Sequence, residues 1–212
     1  MSRNLKLAAA AVALLLLVWA LWPAPYSRVR NLGSHGTNII AFGDSLTAGY
    51  GAAPGEDWPT RLSALIGRPI LNAGVSGDTT ASALARIETD VLARDPRVVI
   101  VGLGGNDFLG STPLAQTEAN LRAIVRRIQD SGAAVVLLSF RFPSLSGDYD
   151  AMYQRVAKSE RCALIEGIIS GILTDQSLKS DEIHPNAKGY ALMAERLAPP
   201  MRKFLKNADG AR

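Results

Sequence analysis

Four short runs of aliphatic and β-branched residues recur along the chain, at residues 38–42, 69–73, 97–103 and 133–140, and each is followed by a loop and a stretch of helical period. This alternation predicts a parallel sheet, because parallel strands need crossover connections that run over the faces of the sheet. The third and fourth runs contain Val98-Val99-Ile100-Val101 and Ala134-Val135-Val136-Leu137-Leu138, apolar at every position. Strands covered by helices on both faces have that composition, so these two are expected at the centre. A shorter fifth strand is expected near residues 163–165.

The helices between them can be placed by period and punctuation. Leu84, Ile87 and Val91 form one apolar stripe, and Leu121, Ile124, Val125 and Ile128 form another. Thr112 and Pro113 supply an expected N-cap and first-turn proline to the second helix, with Gly132 just past its end. A last helix should begin near Pro185-Asn186, carry Tyr190, Met193 and Leu197 on one side, and be interrupted by Pro199-Pro200.

With 212 residues and 48% hydrophobic side chains, the chain can bury one full catalytic-sized core and has no room for a second domain. Its net charge of +4 is spread without a basic run or interleaved aromatics, which argues against a nucleic-acid partner. A single cysteine, Cys162, rules out an internal disulfide and is expected to be a packing residue. With two histidines and that one cysteine there is no metal-ligand spacing, and neither a metal nor another cofactor is expected.

The amino terminus has a different character. Arg3 and Lys6 precede an uncharged leucine- and alanine-rich stretch from Leu7 to Trp22. As a helix it would cover about 24 Å, between a signal-peptide core and a full span. Residues 1–22 are thus a signal peptide or an uncleaved membrane anchor, with the positive charges holding the amino terminus inside. The catalytic domain would then face the periplasm or its equivalent, either anchored at the membrane or released. Residues 23–37, which include His35, are expected to be a tether, residues 38–206 the catalytic domain, and residues 207–212 a tail.

In an open parallel sheet, functional groups gather at the carboxyl ends of the strands. Here those ends lead into Gly43-Asp44-Ser45-Leu46, into Gly74-Val75-Ser76-Gly77-Asp78, and into Gly104-Gly105-Asn106-Asp107. All are rich in glycine and short polar residues, which let backbone N–H groups approach a ligand. His184, three residues after Asp181 and just before the last helix, is the one histidine suited to act as a base. Singly, each has an ordinary explanation: Ser45 and Asn106 as turn residues, Asp78 and Thr79 as a helix cap, Asp181 as a solvated carboxylate. Their joint order along one sheet edge is what carries a functional reading.

These blocks resemble the SGNH hydrolases, also called GDSL esterases and lipases. The resemblance runs from about Ile39 to the last helix through Gly43-Asp44-Ser45-Leu46, Gly77, Gly104-Gly105-Asn106-Asp107 and Asp181-Glu182-Ile183-His184-Pro185. Strings around Leu46-Thr47-Ala48-Gly49-Tyr50 and Trp58-Pro59 are similar to those of the bacterial lysophospholipase, thioesterase and arylesterase group. The resemblance implies an α/β fold, a three-layer α/β/α flavodoxin-like sandwich on a central parallel sheet of about five strands. It further implies a nucleophile, Ser45, activated by His184 and Asp181, and an oxyanion hole of the Ser45 and Gly77 N–H groups with the Asn106 amide. The Gly-x-Ser-x-Gly elbow of the α/β-hydrolases is absent.

A dinucleotide loop at Gly102-Leu103-Gly104-Gly105 is excluded because Asp107 stands where the third glycine should be. For substrate, Phe108, Leu109, Phe140, Phe142 and Leu145 suggest an apolar groove, and an outward-facing monomer would meet small acyl esters or lysolipids. Two alternatives stay open: an O-acetylesterase acting on carbohydrate or peptidoglycan, and a membrane-anchored binding module without turnover.

Overall fold

The computed structural model describes residues 26–140 and 147–211. Five strands form, at Asn38–Gly43 (β1), Ile70–Gly74 (β2), Pro96–Gly102 (β3), Ala134–Ser139 (β4) and Ala163–Glu166 (β5). They pair in parallel in the order β2-β1-β3-β4-β5. Helices lie at Ser45–Ala48 (α1), Trp58–Ile66 (α2), Thr80–Asp90 (α3), Gly105–Leu109 (α4), Leu114–Asp130 (α5), Gly147–Ser159 (α6) and Ala187–Gly210 (α7).

Every residue of β3 and β4 is buried, as the unbroken apolar runs predicted. The period of two divides the strands between two cores. Ile39, Ala41, Ile100, Val136 and Leu138 pack with Trp58 and Leu62 of α2 and with Tyr190, Met193 and Leu197 of α7. Ile40, Phe42, Val99, Val101 and Leu137 pack on the other side with Ile87 of α3, Leu121 and Ile124 of α5, and Met152 and Tyr153 of α6. Each large apolar side chain so buried contributes about 1.5–3 kcal/mol. The result is the three-layer α/β/α sandwich with flavodoxin-like strand order. Because β2 pairs outside β1 while β3 pairs on its other side, the strand order reverses between β1 and β3, and a crevice opens above that point.

The structure corrects several boundaries. Thr112 does not cap α5: Pro113 occupies the cap position with extended ψ, while the Thr112 N–H is drawn back to the Asp107 carbonyl at 2.8 Å. The last helix does not stop at Pro199-Pro200 but runs through both prolines to Gly210. Two interior hydrogen bonds are lost there, at a cost of about 3 kcal/mol for each proline, and burial of Met201, Phe204, Leu205 and Ala208 offsets it. The segment read as a tether packs from Tyr26 onward. Tyr26 meets Phe204 edge-on at 5.2 Å, Val29 and Leu32 reach the core, and the Asn31 amide donates to the Gln129 and Ala133 carbonyls. Residues 207–210 are helix rather than tail, and Asp209 accepts from Arg68 at 2.8 Å and from Arg97 at 2.5 Å. Residues 1–25, and with them the expected signal or anchor, lie outside the described residues.

Arg97 is buried and its Nε has no partner among the described residues, so Asp209 is the carboxylate that makes its burial tolerable. Deleting residues 207–212 should therefore lower the unfolding free energy by about 1–3 kcal/mol in urea titration. A chain whose last residues were a solvated tail would lose nothing measurable.

Candidate active site

The first site element is the turn after β1. The Asp44 carboxylate accepts from the Leu46 N–H at 3.0 Å and caps the single turn α1, which sets Ser45 at its first position, nearly buried. Gly43 has to be glycine here, because a Cβ would stand 2.1 Å from the Thr47 hydroxyl and 2.5 Å from the Gly102 carbonyl. The second element is the turn before α7. The Asp181 carboxylate accepts from the backbone N–H groups of Ile183 (2.9 Å) and His184 (2.8 Å), and the Ser180 N–H donates to the His184 carbonyl at 2.9 Å. Asn186 then caps α7 by accepting from Lys188 and Gly189.

These turns bring Ser45, His184 and Asp181 into one line. His184 Nδ1 lies 2.8 Å from Asp181 Oδ2, and His184 Nε2 lies 2.9 Å from Ser45 Oγ. Partial burial pushes the Asp181 carboxyl up, but the N–H groups of Ile183 and His184 and the imidazole together outweigh it, and the group sits below the ordinary carboxylate range. A carboxylate so held keeps a proton on Nδ1 and leaves the Nε2 lone pair facing Ser45. The Tyr50 ring lies against the imidazole at 4.5 Å, and its carbonyl accepts from the buried Tyr190 hydroxyl at 2.8 Å.

Gly77 and Asn106 come from the next two strand ends. Gly77, in the turn after β2, has φ +85°, a left-handed conformation, and a Cβ there would meet nothing within 4 Å, so backbone geometry alone selects glycine. Among the described residues neither the Ser45 nor the Gly77 N–H is taken by a backbone acceptor. Asn106 Nδ2 donates to the Asp78 carbonyl at 2.9 Å, which fixes the amide and leaves its second hydrogen for a ligand.

Two residues that the sequence reading did not select hold this arrangement. Arg86, on α3, donates to Asp78 Oδ2 (2.6 Å), to the Gly43 carbonyl (3.0 Å) and to Asp90 Oδ2 (2.7 Å), and lies over the Phe42 ring at 4.5 Å. It thereby ties the end of β1 to the Gly77-Asp78 loop. Asp107, fully buried, accepts from the Thr80 N–H at 2.8 Å and the Thr80 hydroxyl at 2.5 Å, joining α4 to the start of α3. A capping box between Thr79 and Ser82 begins α3, while Asp78 accepts from Ser82 Oγ at 2.8 Å.

Asp44, Asp78 and Asp107 are all buried, and Asp78 and Asp107 lie close enough to Asp44 to repel its charge. Burial above all, with repulsion from Asp78 and Asp107 added, pushes Asp44 up to about 7. Burial likewise pushes the Cys162 thiol up to about 12, which fits an inert packing residue.

Beside Ser45 lies a cavity of about 240 Å³, walled by Leu46, Phe108, Leu109, Leu173 and Ile183 with Glu182 at its edge. Phe140, expected in this groove, is instead buried in the core against Gly102, while Phe142 and Leu145 lie outside the described residues. Leu173 and Ile183 take their place. Among the described residues no group of three His, Cys, Asp or Glu side chains is arranged to hold a metal ion.

Residues 41–192 match the model of the GDSL-like lipase/acylhydrolase family. The chain is 30% identical over 177 residues to the thioesterase 1/protease 1/lysophospholipase L1 of Escherichia coli K12, covering 80% of this chain and 85% of that protein. It is 31% identical over 179 residues to an arylesterase of Vibrio mimicus, covering 79% and 89%. A crystal structure of the esterase EstA from Pseudoalteromonas, inhibited by monoethylphosphonate, superposes with a TM-score of 0.74 at 25% identity, covering 80% of this chain and 99% of that one. The chain belongs to the GDSL-like lipase/acylhydrolase family and is a serine hydrolase of esters or thioesters.

Two outcomes follow from the clamp and the buried acids. Arg86→Gln should lower kcat about ten- to a hundred-fold with little change in KM, because it loosens both loops without touching the acyl pocket; Arg86→Lys should recover only part, lacking the planar fork. For Asp44 the folded state holds a proton that the unfolded state, at 3.8, has released, so stability falls as pH rises from about 4 to about 7 and is level above that. Asp44→Asn removes that loss while keeping the cap acceptor. Its Tm relative to the parent should climb between pH 4 and pH 7, at most by the equivalent of about 1.4 kcal/mol per pH unit.

Proposed function

We propose that Ser45 is the nucleophile, His184 its general base, Asp181 the group that orients the imidazole, and the N–H groups of Ser45 and Gly77 with the Asn106 amide the oxyanion hole. The observation that carries this reading is the unbroken chain of contacts from Asp181 Oδ2 through His184 to Ser45 Oγ, at 2.8 and 2.9 Å. As Ser45 Oγ attacks the acyl carbon, its proton moves to His184 Nε2 and the carbonyl oxygen becomes an oxyanion held by the three donors. Collapse of the intermediate expels the alcohol or thiol, which takes the proton from His184. Water then attacks the Ser45 acyl ester by the same route, releasing the acid and restoring the serine.

The substrate proposed is a small acyl ester or a lysolipid with an apolar acyl group. Leu109 and Ile183 support it, since they leave 56% and 38% of their surface exposed at the cavity rim, where an acyl chain would cover them. The chain is proposed to act as a monomer. Residues 1–22 are proposed as the targeting segment, retained as an anchor and placing the domain on the periplasmic side of the envelope. Among the described residues no helix is long and apolar enough to cross a membrane.

A fluorophosphonate probe tests the chemistry. Labelling of the full chain should vanish in Ser45→Ala and slow by at least about a thousand-fold in His184→Ala, while Asn106→Ala should lower kcat by about a hundred- to a thousand-fold. Undiminished labelling of Ser45→Ala would overturn the assignment. A series of p-nitrophenyl esters should show kcat/KM rising from acetyl to medium chains, whereas a preference confined to acetyl would point to a deacetylase.

A further inference from the structure

The two edges of the sheet differ in charge. Around the carboxyl ends lie the buried Asp44, Asp78 and Asp107 together with Asp181 and the exposed Glu182, accompanied by Arg86 on Asp78, Lys179 on Glu182 and the exposed Lys188. Around the amino ends the exposed charges are mainly positive. Arg68 precedes β2, and Arg202, Lys203 and Lys206 occupy the last turns of α7, with Arg28 on the segment that enters the domain. Asp209 binds Arg68 and Arg97, and Asp130 binds Arg30, whereas Arg28, Arg202, Lys203 and Lys206 have no carboxylate partner among the described residues. A hollow of about 250 Å³ opens between Arg68, Arg202 and Lys206, floored by Ile66 and Leu205; Asp209, paired with Arg68, also lines it, and Arg202 donates to the Leu65 carbonyl, so Lys206 is the cation there with no protein partner among the described residues.

The chain enters the domain at this same edge. Tyr26 packs on Phe204, one residue from Lys203 and two from Arg202. Four residue steps separate it from Trp22, the end of the apolar stretch, and they reach at most about 14 Å. A bilayer holding that stretch must therefore lie against the basic edge. We infer that the amino edge of the sheet is a docking surface for an anionic phospholipid bilayer, with a headgroup phosphate seated between Arg68, Arg202 and Lys206. This rests on the proposed anchoring of residues 1–22.

Its consequence concerns the reaction. Helix α7 begins beside His184 and ends at the basic edge, and from Ala187 to Lys206 it spans about 28 Å. The site then opens away from the bilayer that holds the chain, and its substrates arrive from the aqueous side as monomers rather than out of that bilayer.

The test uses the full chain with phosphatidylcholine vesicles, with and without about 30% phosphatidylglycerol. One dye is placed at Gly210→Cys, where a Cβ meets nothing within 4 Å, or at Lys188→Cys, two exposed positions at opposite ends of the same helix, and energy transfer to a headgroup-attached acceptor is measured; Cys162 is buried. Transfer from position 210 should exceed that from position 188 several-fold in anionic vesicles. The difference should shrink in neutral vesicles, in about 0.5 M salt, and in Arg68→Gln/Arg202→Gln. Equal transfer from both positions, or no response to lipid charge, overturns the docking surface. So does loss of the difference in millimolar inorganic phosphate, which would mark the hollow as a small-anion pocket. Flotation separates the two readings: a chain that floats with neutral vesicles but shows equal transfer keeps its anchor and loses the docking surface. A chain that floats with anionic vesicles alone keeps the docking surface and loses the anchor, and one that floats with neither loses both.

Discussion

Parallel strands cannot be joined by hairpins, so every connection in this chain has to climb over one face of the sheet and come back to the same edge. That constraint places all five strand ends together; because crossovers are right-handed, helices reach both faces only where the strand order reverses, which it does once, between β1 and β3. Ser45 leaves the end of β1 and Asn106 follows the end of β3, on the two sides of the reversal. The nucleophile and one oxyanion donor are thus neighbours because of topology, while His184 is brought over by a turn that leans on its own helix cap.

The crevice is electrostatically expensive. Three aspartates are buried beneath it, and each has a distinct compensation: Asp78 has Arg86, Asp107 has Thr80, and Asp44 has a backbone N–H and an elevated proton affinity. Arg86 does most to reconcile stability with geometry, since the same guanidinium that neutralises Asp78 also binds the carbonyl just before Asp44. An apolar replacement would leave the Asp78 charge buried and unpaired, a situation that costs proteins several kcal/mol.

Much of this was legible in the residues. The apolar runs located every strand within a residue or two, and Val98–Val101 and Ala134–Leu138 announced their central places by lacking a polar face. Ser45, Gly77, Asn106, Asp181 and His184 could be read because short polar residues at strand ends are visible as local strings. Arg86 could not, since it lies inside an amphipathic helix where an arginine is ordinary, and its partners are four to forty-three positions away. Its one trace was an arginine at the i+8 position from Asp78. The packing of Tyr26 and Asp209 has no local trace for a related reason: their partners, Phe204 and Arg97, are remote in sequence, and a short polar segment gives no sign of a distant pocket. The proline pair misled because local propensity was outweighed by the apolar face that continues beyond it.

That proline pair has a consequence for motion. The carbonyls of Glu195 and Arg196 lack the amide donors that an unbroken helix would supply, so the rungs of α7 are interrupted midway. The two halves are held in register by packing instead: Tyr190, Met193 and Leu197 before the gap and Met201, Phe204 and Leu205 after it enter one core. The end that caps the His184 turn and the end that clasps Arg97 are thus coupled more through shared side-chain burial than through backbone rungs.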